Sequence, residues 1–391
     1  MMPFFRIMSH RLLVFSHAAV LGVNRALFWK ISEVSNTQVR LIVPQSWKGD
    51  LIADLQFHSE PEDRRIEVVP LPVAFSGKGS FFFYSQSLKK HISDFRPDHV
   101  FVYEEPWSFS VLQAFWAARG YSRSFFTNQN LKKKLPLPFE LLQRWIFSNA
   151  DHGYTVSDET ADVLRWKGDQ GEIRLLPFSY DPTLFYPRSD AERTQRRESL
   201  GLGRDDFIIS YFGRMQPEKG IDDLVEAIFK AEGEPDLKRA RFLIVGNGRL
   251  LESTRQKLSP LIPHRVTVLP AVPHHQVPEV LSAVDILSLP SRTTKTWKEQ
   301  FGRILIEAMA CGAATVGSDS GEIPHLIRKT KGGLVFHEGD PNDLLKQWVT
   351  LARDPALLLE KKTLGQRYVS SNFTHDAVAR SFIGKLGFQL K

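Results

Sequence analysis

The chain has 391 residues, 42% hydrophobic and 24% charged, with 51 basic against 44 acidic side chains and a formal net charge of +7. That length is too great for one ordinary core and favours two α/β domains of about 150–200 residues each, while the composition excludes a disordered chain. The near balance of signs excludes the concentrated basic face of a nucleic-acid binder, and the single cysteine, Cys311, excludes an internal disulfide and a multi-cysteine metal site.

The first residues are apolar but broken by Arg6 and Arg11, and residues before Arg11 are expected to be a short disordered leader. The stretch Leu12–Val23 contains His17 and no small-residue cleavage site, so it does not read as a signal peptide. No segment approaches the roughly 18–20 apolar residues that span a bilayer. A cytoplasmic protein is the expectation.

Short apolar runs then alternate with amphipathic stretches, the pattern of parallel sheets covered on both faces. Strands are predicted at Arg11–Ser16, Val39–Val43, Ile66–Val69, His99–Tyr103, Ser124–Thr127 and His152–Val156. Helices are predicted at Val23–Val34, Ser85–Phe95, Ser110–Arg119 and Pro138–Asn149, with Ser157 and Asp158 as the N-cap of another. Pro177, Pro182 and Pro187 then break the periodicity, and Arg188–Arg197 is highly charged. Alternation restarts with strands at Phe207–Phe212, Arg241–Val245, Val266–Leu269, Asp285–Leu289 and Ala314–Gly317, and the chain from Phe373 onward reads as one more helix. The expected division is an N-terminal domain over 1–190, a C-terminal domain over 191–372, and a last helix over 373–391 that packs back on the first domain. The expected architecture is α/β, with two Rossmann-like doubly wound domains facing a cleft where strands end and helices begin.

Two strand ends in the second half carry chemistry. The first runs from Phe212 through Gly213-Arg214-Met215-Gln216-Pro217-Glu218-Lys219-Gly220 into a helix. Arg214 offers a planar fork of donors for phosphate oxygens, and Lys219 a mobile point charge. Taken alone, the two could equally be surface cations paired with Glu218 or Asp222. The second strand end, Pro290-Ser291, leads to Glu299-Gln300-Phe301-Gly302-Arg303 and a helix expected from Phe301 to Gly312, with Glu307 about two turns along it. A helix start is an anion site, and a carboxylate beside it can hold sugar hydroxyls. Together the two elements read as a sugar-diphosphate site.

Phe212-Gly213-Arg214 with Lys219-Gly220, followed by Glu299 and Glu307 in the stretch Glu-Gln-Phe-Gly…Glu-Ala-Met-Ala-Cys-Gly, resembles glycosyltransferase family 4, retaining enzymes of GT-B architecture. Asp181…Phe185-Tyr186-Pro187, Val245-Gly246-Asn247-Gly248 and Ser320-Gly321-Glu322-Ile323 extend the likeness, while the N-terminal half matches mainly in layout. The resemblance implies that Arg214 and Lys219 bind the donor diphosphate and stabilise its departure. It implies that Glu299 holds the sugar, that Phe301, Gly302 and Arg303 offer backbone N–H groups, and that Glu307 takes the ribose. The base would lie near Leu269–Val272. Gly213 and Gly22 join the donor-binding set, and no metal or cofactor is expected.

The N-terminal domain is expected to serve the acceptor. Glu105, ahead of Pro106, is the first choice to take or orient the acceptor's hydroxyl, followed by Glu104, with His17 and Asn130 on the same side. Two departures from the family pattern bear on that half. Ala18-Ala19-Val20-Leu21-Gly22 stands where a Gly-Gly pair is common, and Pro177-Phe178-Ser179-Tyr180-Asp181 where Pro-x-Gly-x-Asp is. The expected partners are a nucleotide-sugar donor, UDP-sugar first and GDP-sugar next, and a saccharide or lipid-linked acceptor. Lys132-Lys133-Lys134 is either a solvated loop or a contact with an anionic partner, anionic lipid at the inner membrane face or an anionic acceptor. The competing readings are a non-catalytic nucleotide-sugar-binding protein and a nucleotide-sugar epimerase of the same fold.

Overall fold

The computed structural model describes residues 9–49 and 54–391. As far as Met8 the expected leader lies outside them, and His10 already opens the first strand. The chain forms two compact units, one running to Ser179 and resuming at His375–Lys391, the other Tyr180–Thr374.

The first unit is built on seven parallel strands, β1 (His10–Phe15), β2 (Thr37–Pro44), β3 (Glu67–Leu71), β4 (His99–Val102), β5 (Ser122–Thr127), β6 (His152–Thr155) and β7 (Glu172–Leu175), in the order β7-β6-β5-β4-β1-β2-β3. Leu12 to Phe15 and Val100 to Val102 are fully buried, as continuous apolar strands must be when helices cover both faces. Helices α1 (Ala26–Val34), α2 (Leu88–Phe95), α3 (Phe109–Ala117), α4 (Leu137–Asn149) and α5 (Asp158–Trp166) connect the strands. Ser157 caps α5 by accepting from the Thr160 N–H.

The second unit repeats the plan with β8 (Phe207–Phe212), β9 (Ala240–Val245), β10 (Val266–Leu269), β11 (Ile286–Leu289), β12 (Ala314–Ser318) and β13 (Gly333–Phe336), in the order β10-β9-β8-β11-β12-β13. Its helices are α6 (Asp190–Ser199), α7 (Ile221–Lys230), α8 (Leu251–Leu258), α9 (Val277–Leu281), α10 (Arg303–Ala310), α11 (Ile323–Thr330), α12 (Pro341–Arg353) and α13 (Pro355–Asn372). Trp348 is buried against Phe242 and donates its indole N–H to Ser288 Oγ at 2.9 Å. A last helix, α14 (His375–Lys385), lies in the first unit on α1, with Phe382 against Phe101 and Tyr154.

Three local expectations are corrected. The charged run Arg188–Arg197 is not an irregular break but leads into α6, which opens on a Ser189–Glu192 capping box. Its inward face is made of arginines. Arg193 and Arg197 reach Asp285 at 2.6 and 2.7 Å, and Lys362 joins them at 2.8 Å. Burial alone would raise the Asp285 pKa, but these cations hold it down at about 2. Two edge strands, β7 and β13, add to the predicted set. The terminal helix begins at His375 rather than Phe373, because α13 runs to Asn372 and Phe373 turns into the second unit's core.

Candidate active site

In both sheets the connections reverse direction between two neighbouring strands, β1 and β4 in the first, β8 and β11 in the second. At such a point the loops leaving the strand ends splay apart and open a crevice. The residues singled out from the sequence fall at these two places.

In the second unit the loop after β8 and the loop after β11 meet backbone to backbone. Gly220 adopts φ 68°, and a Cβ there would lie 1.8 Å from the carbonyl oxygen of Pro290. Only glycine fits. Gly321, at φ 56°, supports Glu299 in the same way, since a Cβ would meet the Glu299 carbonyl oxygen at 2.0 Å, and the Glu322 N–H donates to that oxygen. So fixed, Lys219 Nζ stands 2.7 Å from Glu299 Oε2, with Ser291 Oγ donating to the same oxygen at 2.9 Å. The ammonium also lies 4.4 Å from the centre of the Trp297 ring. Lys219 therefore pairs with neither Glu218 nor Asp222; Asp222 bonds Lys257. Around the pair is a cavity of about 220 Å³ lined by Gly213, Arg214, Lys219, Glu299, Gly302 and Arg303. The exposed Arg214 is anchored through its carbonyl, which accepts from the buried Tyr211 hydroxyl at 2.8 Å.

Helix α10 starts at Arg303, later than expected, because Gly302 caps it in a left-handed conformation at φ 77°. The Phe301 side chain turns inward onto Phe373 rather than toward the cavity. Glu307 is buried on α10, its Oε1 3.2 Å from Arg303 Nε and 3.1 Å from His274 Nε2. His274 in turn rests on Phe185. The sequence reading gave no role to His274, Ser291 or Trp297. The available signal for His274 was its place just past Leu269–Val272, the stretch expected to meet the base.

In the first unit β1 and β4 are neighbours, Phe15 opposite Val102, so the residues that follow them meet. The backbone N–H and the Nδ1 of His17 each lie 2.5 Å from a different oxygen of Glu104. Glu104 is buried, and the imidazole is flanked by Trp47 and Phe82. Burial alone would lower the His17 pKa, but the Glu104 carboxylate outweighs it and holds the ring above its ordinary 6.5. The folded value exceeds the unfolded one, so this pair's stabilisation is complete below pH 6.5 and is lost as pH rises through the raised value. Glu104→Gln removes the opposing charge, and the His17 titration followed by NMR is expected to fall below that of free histidine. A titration that stays raised would contradict this origin.

Glu104, not Glu105, is thus the carboxylate joined to His17. Glu105 accepts from Thr127 Oγ1 at 2.5 Å and from the Asn128 N–H at 3.1 Å. Burial pushes its pKa up to about 7 against those two hydrogen bonds. It can hold or release a proton near neutrality. Asn130 is buried and donates to Glu159 at 3.1 Å. Gly22 packs on Glu60, whose Oε1 would lie 2.3 Å from an added Cβ. The turn between His17 and Gly22 is held by Arg25, a fully buried residue the sequence reading passed over. It donates to the carbonyls of Ala19, Val20 and His58 and pairs with Asp63 at 2.5 Å.

Residues 192–363 match the family model described as Glycosyl transferases group 1. The matched segment contains Arg214, Lys219, Glu299 and Glu307, and the His17–Glu104 site lies outside it. The chain is 27% identical over 266 residues to a D-inositol 3-phosphate glycosyltransferase of Stackebrandtia nassauensis, covering 64% of this chain and 58% of that protein. It is 29% identical over 210 residues to a GDP-mannose-dependent monoacylated alpha-(1-6)-phosphatidylinositol monomannoside mannosyltransferase of Corynebacterium glutamicum, covering 53% of this chain and 54% of that protein. The matches thus span about half the length of these curated relatives. Among solved structures, the chain resembles Anabaena Alr3699/HepE in complex with UDP, with a TM-score of 0.75, 17% identity and coverage of 97% and 99%. It also resembles sucrose-phosphate synthase from Thermosynechococcus elongatus, with a TM-score of 0.71, 20% identity and coverage of 97% and 98%. These likenesses show a GT-B fold, two parallel-sheet Rossmann-like domains.

Proposed function

We propose that this chain is a retaining glycosyltransferase of family 4. In this reading it moves a sugar from a nucleoside-diphosphate sugar to a hydroxyl acceptor in polysaccharide or glycolipid synthesis. The observation that carries the proposal is the Lys219–Glu299 pair on the wall of the cavity at the β8/β11 reversal. A lone cation there would suit any anion. A cation and a carboxylate sharing one small cavity suit a ligand that is diphosphate at one end and polyhydroxyl at the other.

As the anomeric bond breaks, negative charge grows on the leaving diphosphate, so Arg214 and Lys219 stabilise the transition state more than the bound donor. Lys219 exchanges Glu299 for a phosphate oxygen, and Glu299 turns its acceptor capacity to sugar hydroxyls while Ser291 keeps it in place. Glu307, oriented by Arg303 and His274, takes the ribose. The acceptor hydroxyl passes its proton to a leaving phosphate oxygen, with retention of configuration and no metal or other cofactor. The first unit supplies the acceptor groups, His17 backed by Glu104, and Glu105.

UDP-sugar is the favoured donor, supported by the HepE structures with UDP and with UDP-glucose. GDP-sugar comes next, supported by the name of the mannosyltransferase relative. The inositol phosphate and phosphatidylinositol mannoside in the relatives' names favour a polyol or glycolipid hydroxyl as acceptor.

A thermal-shift screen of free and sugar-linked nucleoside diphosphates tests the division of labour, since a ligand at about 100 times its Kd adds about 2.7 kcal/mol to the native state. Glu299→Ala is expected to keep the shift given by the free nucleoside diphosphate and to lose the extra shift given by the sugar. Loss of both shifts, or of neither, would contradict the assignment.

A further inference from the structure

The loop that leaves β11 is tied down almost residue by residue. The Ser291 carbonyl accepts from Ser318 Oγ at 2.5 Å. Arg292 Nε donates to Asp223 at 2.5 Å, and the Arg292 N–H donates to the Glu218 carbonyl at 2.8 Å. Thr294 then closes a turn on Trp297. Its N–H donates to the Trp297 carbonyl at 2.7 Å, and its Oγ1 accepts from the Trp297 N–H at 2.9 Å. A side-chain oxygen that takes a backbone N–H in this way fixes a turn much as a backbone bond would. So held, the half-buried Trp297 ring has one place, and it faces the Lys219 ammonium, 4.4 Å from its centre.

Lys219 reaches the cavity on a flexible four-carbon stem, and ordering such a stem weakens binding whenever it is put off until the ligand arrives. Glu299 orders it in part, at 2.7 Å. In the proposed reaction, however, that carboxylate is given over to sugar hydroxyls. The Trp297 ring needs no exchange of partners. An ammonium is drawn to a ring face electrostatically, without a lone pair that would tie down one of its three N–H donors, so all three can turn to phosphate oxygens. Among the described residues, Lys219 lines the cavity and Trp297 does not, so the ring backs the lysine rather than meeting the ligand.

We infer that Trp297 is a positioning residue that holds the Lys219 ammonium ready for the diphosphate whether or not Glu299 is bonded to it. This inference rests on the proposed donor site and adds to it the group that keeps its cation in place as the donor loads.

Inorganic pyrophosphate is the probe, because its binding needs neither a particular base nor a sugar, and calorimetric titration of the full chain is the measurement. Trp297→Leu and Trp297→Met each remove the ring and keep an apolar side chain. Both are expected to weaken binding about twofold to tenfold, the worth of ordering one long side chain in advance. Trp297→Phe keeps a π face and should recover most of that loss. In a Lys219→Ala background, removing the ring should cost nothing further, since a residue that acts through the lysine then has nothing to act on. The thermal midpoint of each variant is the folding control. If the wild type does not bind pyrophosphate, or binds it equally well after Lys219→Ala, the donor reading falls and the inference with it. Binding that needs Lys219 but ignores Trp297→Leu and Trp297→Met, or that falls as far in Trp297→Phe as in Trp297→Leu, overturns the inference and leaves the donor site standing. So does a loss on removing the ring that persists undiminished without Lys219.

Discussion

Lys219→Ala is expected to lower the rate of sugar transfer by about 10²–10³-fold, the usual cost of removing one preorganised partner of transition-state charge. The structure gives the lysine little other work. Its side chain is 12% exposed and its ammonium is bonded to Glu299, and Ser291 remains on that carboxylate after the lysine is gone. Stranding the largely buried Glu299 with Ser291 still bonded to it should cost about 1–3 kcal/mol, so turnover is compared on protein shown to be folded. Lys219→Arg should recover only part of the rate, since a planar fork does not reproduce a compact charge in a small cavity. The loss should fall on kcat at least as much as on KM, because the interaction strengthens as the diphosphate leaves. Near-wild-type turnover in Lys219→Ala would remove the residue from the leaving-group role.

The second large effect is one of stability. Arg25→Ala is expected to destabilise the first unit by about 3–5 kcal/mol, because truncating one partner of a buried ion pair strands the other. Asp63 would keep its bond from the Trp29 indole at 2.9 Å but lose its cation in a site where it is buried. The carbonyls of Ala19, Val20 and His58 would lose their donors as well. Lysine should rescue little, since one ammonium cannot reach four acceptors in fork geometry. Replacing Arg25 and Asp63 together by apolar residues should cost less than Arg25→Ala alone. Denaturant unfolding monitored on the first unit is the measurement, and a loss below about 1 kcal/mol would contradict the argument. The prediction also bears on function. The turn after β1 carries no Gly-Gly pair, and here its carbonyls are gathered by a buried guanidinium instead.

The positions of two strands of the second unit were readable because β8 and β10 are mostly apolar runs bounded by polar turns, and both were predicted with their observed bounds. Helix α6 was not, because its buried face is Arg193 and Arg197 rather than leucine, so the apolar period that marks a helix is missing. The edge strands β7 and β13 were missed because only part of each is covered and their alternation is weak. At the site, the order Arg214, Lys219, Glu299, Glu307 announced a chemistry, but pairings are a matter of space. The sequence ranks Glu105 first by its place ahead of Pro106 but does not say which of Glu104 and Glu105 meets His17. Which one reaches His17 follows from the parallel pairing of β1 with β4, which brings the ends of two strands 87 positions apart side by side.

The most direct test of the donor site is release of nucleoside diphosphate from a panel of nucleoside-diphosphate sugars, with and without polyol or glycolipid acceptors. The account predicts slow release from at least one donor, faster release with the right hydroxyl acceptor, and loss of both in Arg214→Ala and Lys219→Ala. Tight binding of a nucleotide sugar with no release under any of these conditions would contradict it, and would make the cavity a sensor site rather than a catalytic one.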